Sequence, residues 1–215
     1  LGIRGNSDVP DRNTDAWCQH IDKVVQNNNS VHHSGPSFSC HAVREGSIEA
    51  LICEDESLSK LDRNLADVYS EAKKRAENEQ PPILAAEQRG WISGRNECWK
   101  HTDKIGCVRE AYQRRTAILQ AKYRLVTHTG PFRFVCQNDP VNEVIATFFQ
   151  TTPATLIAER GDMDSLMFIQ PSSSGSKYQG RNEIFWSKGD EVSVTWGYGS
   201  DEMKCKKVLY TNTRK

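Results

Sequence analysis

A serine and a lysine, Ser174 and Lys188, are separated by a turn-forming Gly-Arg-Asn sequence at residues 180–182. Antiparallel pairing about this turn sets Tyr178 opposite Ile184. Continued outward, the same pairing brings Ser174 opposite Lys188, and facing residues of such a ladder lie about 4.5–5.5 Å apart at Cα. A slip of one residue in the turn would still leave the two side chains as neighbours.

The chemistry open to this pair is the recognition of acids. A lysine ammonium offers three donors and a full charge, and a serine hydroxyl both donates and accepts. Together they would suit two carboxyl groups of which one is ionised and the other protonated, as in glycoside hydrolases of the lysozyme kind. We therefore predict that the pair protrudes into such a cleft and blocks it. The alternative is that both residues belong to ordinary solvated turns.

Catalytic and metal-binding chemistry has weaker support. Cys18 and His20, with His32 and His33 downstream, could bind a metal, but scattered histidines in a polar segment are more often only solvated. The sequence contains no G-x-S-x-G, HExxH or glycine-rich phosphate-binding motif. We expect a chain that is not an enzyme and that needs neither a metal nor a cofactor.

The cysteines indicate an oxidising compartment. There are seven, at positions 18, 40, 53, 98, 107, 136 and 205, and none forms a C-x-x-C pair. Disulfide formation would also prevent a thiol–imidazole pair between Cys98 or Cys107 and His101. Because seven is odd, at least one cysteine is unpaired or bonds another chain. Cys18 is our candidate, which makes a homodimer one alternative.

Composition excludes two further classes of protein. The 28 basic and 28 acidic residues among 215 cancel, which argues against a general nucleic-acid binder. No apolar run approaches the roughly 18 residues that would predict a transmembrane helix. The chain starts at Leu1 in polar sequence, so we expect that a leader was removed or never existed.

Apolar residues at steps of three and four predict four helical segments, at 47–53, 58–79, 83–101 and 107–123, which pack most simply as a small antiparallel bundle. A further short helix is predicted at 16–25. The inward residues are Leu58, Leu61, Leu65, Val68, Tyr69 and Ala72 in the second segment, Leu84, Gln88, Trp91, Arg95 and Cys98 in the third, and Val108, Ala111, Tyr112, Ile118 and Leu119 in the last.

The hydrophobic period changes to two near residue 130, which predicts antiparallel strands joined by tight turns. The eight strand candidates are 132–137, 142–150, 153–160, 162–170, 175–180, 182–188, 191–199 and 201–208. In the seventh, Val192, Val194, Trp196 and Tyr198 are predicted to share one face. The pattern favours a small closed barrel or a sandwich, in which Cys136 and Cys205 could join the first and last strands.

The stretch SGSKYQGRNEIFWSKGDEVSV resembles the signature of the MliC/PliC family of membrane-bound and periplasmic inhibitors of c-type lysozyme, S-G-x-x-Y followed by W-x-K-G-x-E. The resemblance covers about residues 131–208. It implies an eight-stranded antiparallel barrel with a Cys136–Cys205 disulfide, and it implies that Ser174 and Lys188 enter the lysozyme cleft. The residues expected to support them are Gly175, Lys177, Tyr178, Trp186 and Gly189. Tyr178 and Trp186 are expected to shape the loops from within the barrel.

Residues 37–119 resemble the N-terminal domain of LprI-type lysozyme inhibitors, through S-F-x-C, E-x-x-I-C, L-x-x-L-D-x-x-L, Q-R-x-W-x-x-x-R-x-x-C and C-x-x-x-x-Y. Of the three connectivities that four cysteines allow, we expect the local pairs Cys40–Cys53 and Cys98–Cys107. The resemblance carries over no inhibitory residue to this half. The polar and aromatic residues of the fourth motif, Gln88, Arg89, Trp91 and Arg95, are expected to pack in the helical core.

We therefore predict an α+β chain of two domains, a small antiparallel helical bundle with disulfides and an eight-stranded antiparallel β-barrel. The expected units are a polar N-terminal extension (1–35), a helical domain (36–124), a linker (125–130), the barrel (131–210) and a tail (211–215). The expected partner is a lysozyme, c-type first and other types as alternatives. The expected location is the periplasm, the outer membrane or the exterior of a Gram-negative bacterium. A non-inhibitory envelope-binding or adhesion protein is the alternative function.

Overall fold

The computed structural model of the protein describes residues 35–208. The predictions for Cys18, for the helix at 16–25 and for the tail lie outside the described residues, as do the N-terminal histidines considered as metal ligands. Within residues 35–208, no helix is long and apolar enough to cross a lipid bilayer.

The first half of the described chain is helical, as the apolar spacing predicts. The helices are α1 (Ile48–Glu54), α2 (Glu56–Arg75), α3 (Leu84–Asn96) and α4 (Lys104–Lys122), with a 3-10 turn at Glu97–Lys100. Ser47, Asp55 and Asp103 cap α1, α2 and α4, because each side chain accepts a hydrogen bond from the backbone N–H three residues later.

The helices bury their apolar stripes against one another, and α2 packs along α4. The buried core contains Ile48, Ile52, Leu58, Leu65, Ala72, Leu84, Cys98, Val108, Tyr112 and Leu119. Disulfides join Cys40 to Cys53 and Cys98 to Cys107, the same pairs that the resemblance implies. The second bond also removes any free thiol beside His101.

A chain of polar groups crosses this core. Tyr112 is fully buried; its hydroxyl donates to Asp62 Oδ1 over 2.8 Å and accepts from Arg95 Nη1 over 2.8 Å. Arg95 in turn forms an ion pair with Glu49 at 3.0 Å. Burial raises the pKa of Tyr112, so the tyrosine stays neutral and keeps its proton for Asp62.

The fourth motif, Q-R-x-W-x-x-x-R-x-x-C, has a packing role, with one exception. Gln88 Oε1 accepts from Arg115 Nε over 2.9 Å, and Trp91 Nε1 donates to the carbonyl of Ala111 over 3.3 Å. The prediction that Arg89 lies in the core is wrong, since Arg89 is exposed. Helical spacing explains this. Gln88 lies on the side of α3 that packs against α4, and Arg89, the next residue, is rotated by about 100° around the helix axis toward solvent.

The second half is a closed antiparallel barrel in which each strand pairs with the next and β8 pairs with β1. The strands are β1 (His128–Cys136), β2 (Asp139–Phe149), β3 (Thr155–Arg160), β4 (Met163–Gln170), β5 (Ser176–Gln179), β6 (Glu183–Lys188), β7 (Glu191–Trp196) and β8 (Met203–Val208). Cys136 and Cys205 face each other across β1 and β8 and form a disulfide.

Alternation along the strands separates an apolar interior from the outer surface. Val192, Val194 and Trp196 of β7 point into the core. The prediction that Tyr198 shares this face is wrong, because β7 ends at Trp196 and Tyr198 is 94% exposed. Gly197 and Gly199 on either side of it have left-handed backbones, so the period of two ends there.

The chain changes from helix to strand between Lys122 and His128, close to residue 130, where the hydrophobic period of the sequence changes. β1 begins at His128, inside the range 125–130 that we predicted as a linker. The domain limits themselves stay a prediction.

We expect Tyr112→Phe to destabilise the helical half by about 1–3 kcal/mol, because it leaves Asp62 Oδ1 and Arg95 Nη1 buried without their shared partner. The free energy of unfolding in urea measures this. Tyr198→Phe is the matched control, since it removes the same hydroxyl from an exposed ring. Equal stabilities of the two variants would contradict the role of the hydroxyl.

Candidate functional site

The candidate residues lie at one end of the barrel. Because the strands alternate in direction, the loop 171–175 between β4 and β5 and the turn 189–190 between β6 and β7 emerge at the same end. β5 and β6 are hydrogen-bonded neighbours, so the two connections are adjacent in space. The predicted pairing of these two segments as a hairpin is correct.

The predicted register is wrong by one residue. Tyr178 faces Phe185, and Gln179 faces Ile184. The backbone N–H of Gly180 donates to the carbonyl of Glu183 over 2.9 Å, so the turn has two central residues instead of three. Continued outward, this register places Gly175 opposite Lys188 and leaves Ser174 one position further along.

Trp186 connects the two candidate groups. Its indole Nε1 donates to the carbonyl oxygen of Ser174 over 2.9 Å. The ammonium of Lys188 lies 4.0 Å from the centroid of the same ring. One side chain therefore fixes the loop backbone at Ser174 and provides a surface for Lys188.

Trp186 acts from outside the barrel, which corrects the prediction that it lies within. Phe185 is fully buried in the barrel core, so the next residue points outward. Tyr178, opposite Phe185, does point inward, and burial raises the pKa of its hydroxyl. Tyr178 therefore supports the loops from the core, and Trp186 supports them from the surface.

The loop itself is held by a second serine. Ser172 Oγ donates to the carbonyl of Ser174 over 2.7 Å and accepts from the backbone N–H of Ser174 over 3.4 Å. Sequence reasoning missed this role, and the only signal was the Ser-Ser-Ser-Gly composition typical of side-chain-stabilised turns.

Glycine is required at the crossing of the loop over β6. Gly175 has φ +65°, and a Cβ atom there would lie 2.0 Å from the carbonyl oxygen of Ser187 and 3.1 Å from Lys188 Cγ. The loop therefore rests directly on the β6 backbone. Gly189 has φ +67° in the next turn but faces open space.

The Ser174 hydroxyl and the Lys188 ammonium have no hydrogen bond or ion pair within the described part of the chain. Ser174 and Lys188 are exposed. Among residues 35–208, Ser174 Oγ makes no hydrogen bond, and no carboxylate lies within 4.0 Å of Lys188 Nζ. Both groups can therefore bind an external acid without first breaking an internal hydrogen bond or ion pair.

The surroundings add a second cation and a groove. Lys177 faces Trp186 across β5 and β6, with its ammonium 5.9 Å from the ring centroid. A shallow groove of about 510 Å³ runs beside Lys188 over the outer face of β6–β8. In this groove Lys204 holds Glu202 by a hydrogen bond that lowers the pKa of this carboxyl.

The arrangement suits recognition of acids. Among residues 35–208, no group of three or more histidine, cysteine, aspartate or glutamate side chains could hold a metal ion. The protruding ammonium and hydroxyl can bind carboxyl groups on a partner.

Two family models match the chain in separate segments. Residues 40–119 match "Lysozyme inhibitor LprI", and residues 134–203 match "Membrane-bound lysozyme-inhibitor of c-type lysozyme". Proteins named "Lipoprotein LprI" from Mycobacterium bovis and Mycobacterium tuberculosis are 30% identical to the chain over 151 residues, 68% of this chain and 73% of theirs. Both halves thus match families whose descriptions specify lysozyme inhibition.

We expect Gly175→Ala to be more destabilising than Gly161→Ala, measured as the free energy of unfolding in urea. Both glycines have left-handed backbones, which cost about 1–2 kcal/mol for alanine. Only an alanine Cβ at position 175 would also clash with the backbone of Ser187, whereas a Cβ at position 161 would face open space. The same loss in both variants would show that the loop does not rest on β6.

Proposed function

The chain belongs to the family of the lipoprotein LprI, and we propose that it inhibits a c-type lysozyme by placing Ser174 and Lys188 in the active-site cleft of that enzyme. The observation that carries the proposal is that both residues contact Trp186. Its indole Nε1 donates to the carbonyl oxygen of Ser174 over 2.9 Å, and the ammonium of Lys188 lies 4.0 Å from the centroid of its ring. The match of residues 134–203 to inhibitors of c-type lysozyme supports the enzyme class.

The two groups match the charges of the lysozyme active site. Such an enzyme keeps one carboxyl protonated as the general acid and the other ionised. Lys188 pairs with the ionised carboxylate, and Ser174 hydrogen-bonds to the acid.

The support from Trp186 lowers the cost of binding. A free lysine side chain loses up to roughly 2 kcal/mol of rotamer entropy when it is immobilised. Lys188 already lies over the indole, and the serine loop is already ordered by Trp186 and Ser172. More of the interaction energy is then available for affinity.

The protein acts as an inhibitor and not as an enzyme in this proposal. The bound loops exclude peptidoglycan from the cleft and leave the lysozyme chemically unchanged. An adhesion or envelope-binding protein is not favoured, since that function gives no reason for an exposed ammonium and hydroxyl on one tryptophan.

The location is extracytoplasmic, in agreement with the lipoprotein and membrane-bound relatives. The three disulfides fit an oxidising compartment. We propose the periplasm or outer envelope of a Gram-negative bacterium. A dimer linked through Cys18 stays a prediction, which non-reducing electrophoresis would test.

We expect Lys188→Ala to weaken lysozyme binding by about 2–5 kcal/mol, partly because it leaves a buried carboxylate of the enzyme unpaired. The measurement is inhibition of cell-wall lysis by a c-type lysozyme at a series of inhibitor concentrations. Lys60→Ala is the control for lost charge, because Lys60 is an exposed lysine on α2. Full inhibition by a folded Lys188→Ala protein would remove the lysine from the mechanism.

Ser174→Ala should weaken binding less, by about 1–3 kcal/mol, because a neutral hydroxyl is lost and the loop backbone is kept. The same lysis assay measures the effect. A loss larger than that of Lys188→Ala would reverse the proposed order of the two contacts.

Trp186→Phe should weaken inhibition while leaving the barrel folded, because phenylalanine cannot donate to the carbonyl of Ser174. Amide hydrogen exchange of residues 172–175 should become faster in this variant than in the wild type. Unchanged exchange would show that the indole does not order the loop.

A further inference from the structure

We propose that the helical half supplies a second part of the lysozyme-binding surface, in which Arg114 of α4 pairs with a carboxylate on the rim of the enzyme's cleft. This inference rests on the proposed function and assigns a role to the half of the chain for which the sequence identified no binding residue.

Strand directions bring the helical half to the correct end of the barrel. β1 and β3 begin, and β2 and β4 end, at the end from which the loop 171–175 and the turn 189–190 emerge. Since α4 ends at Lys122 and β1 begins at His128, the connection from the helices enters the barrel there.

A helix–sheet contact holds the two halves together beside this end. α4 packs on β3 and β4. Phe149, Thr155 and Phe168 alternate with barrel-core residues and so point outward, yet they are 3%, 0% and 6% exposed. On the helix, Ala117 and Ala121 are completely buried without belonging to the helical core. Small alanine side chains allow the helix to lie close to the sheet.

Arg114 lies at the edge of this contact. Its guanidinium carbon is 4.0 Å from the ring centroid of Phe168, which is two residues before the end of β4. The side chain is exposed, and among the described residues it forms no hydrogen bond or ion pair. Stacking fixes the position of the guanidinium while its N–H donors stay available for a partner.

Arg114 lies on the same outer face as two other cations, Lys177 and the proposed binding residue Lys188. Gln170 faces Lys177, and Lys177 faces Trp186, so these side chains form one row across β4, β5 and β6 on the outer surface. Lys188 lies over the ring of Trp186. Phe168, on which Arg114 stacks, lies two residues before Gln170 on the same face of β4, so Arg114 lies beside this row, toward the helical half. An acidic rim beside the cleft is the surface that such a row would complement.

The test is the association rate constant of the full chain with a purified c-type lysozyme, followed by stopped-flow fluorescence at several salt concentrations. Charges on the rim of an interface act mainly on association and are screened by salt. We expect Arg114→Ala to slow association about 3- to 10-fold at low salt and less than about twofold at 0.5 M salt. Arg114→Glu should slow it further, and Arg114→Lys should stay near the wild type.

Arg109→Ala is the matched control, because Arg109 is an exposed arginine of the same helix that faces Asp55, away from the barrel. It should associate like the wild type. Thermal unfolding of each variant separates a charge effect from lost packing on Phe168.

Two results would overturn the inference. If Arg114→Glu associates like the wild type while Lys188→Ala loses inhibition, the helical half is outside the interface and the proposed function stands. If Arg114→Lys is as slow as Arg114→Ala at every salt concentration, the effect is packing and not charge. Full inhibition by Lys188→Ala would instead count against the proposed function itself.

Discussion

Trp186 is the side chain on which the candidate site depends. Its indole N–H holds the carbonyl of Ser174, and its ring carries the ammonium of Lys188. Each contact is weak by itself, about 0.5–1.5 kcal/mol for the hydrogen bond and about 0.5–1 kcal/mol for an exposed cation over a ring. Their contribution is to fix positions, because they order the Ser174 loop and the Lys188 side chain before a partner binds.

The barrel makes this use of a tryptophan possible. In a closed sheet the side chains alternate strictly between core and surface, so Phe185 in the core forces Trp186 outward. Gly175 then allows the loop to cross β6 in direct contact with its backbone. The β1–β8 pairing and the Cys136–Cys205 disulfide close the sheet and remove its exposed edges.

The helical half has a different basis of stability. Its core includes the polar chain from Asp62 through Tyr112 to Arg95 and Glu49, in which each group is satisfied by the next. Such a network stabilises one arrangement of helices over others, because any shift would leave a buried polar group without a partner. A precisely placed α4 can then present Arg114 beside the barrel loops.

The sequence by itself determined the element types and the identity of the exposed pair, because hydrophobic period and turn residues are local signals. Four helices, eight strands and the proximity of the Ser174 loop to Lys188 followed from them. Only the tertiary structure decided the register of β5 and β6, because turns with two and with three central residues both fit the same sequence. It also decided the outward direction of Trp186, which follows from the burial of Phe185, and the exposure of Tyr198, which follows from the end of β7 at Trp196. The contact between Arg114 and Phe168 was also visible only in the fold, because the two residues are 54 positions apart in the sequence and no local pattern connects them.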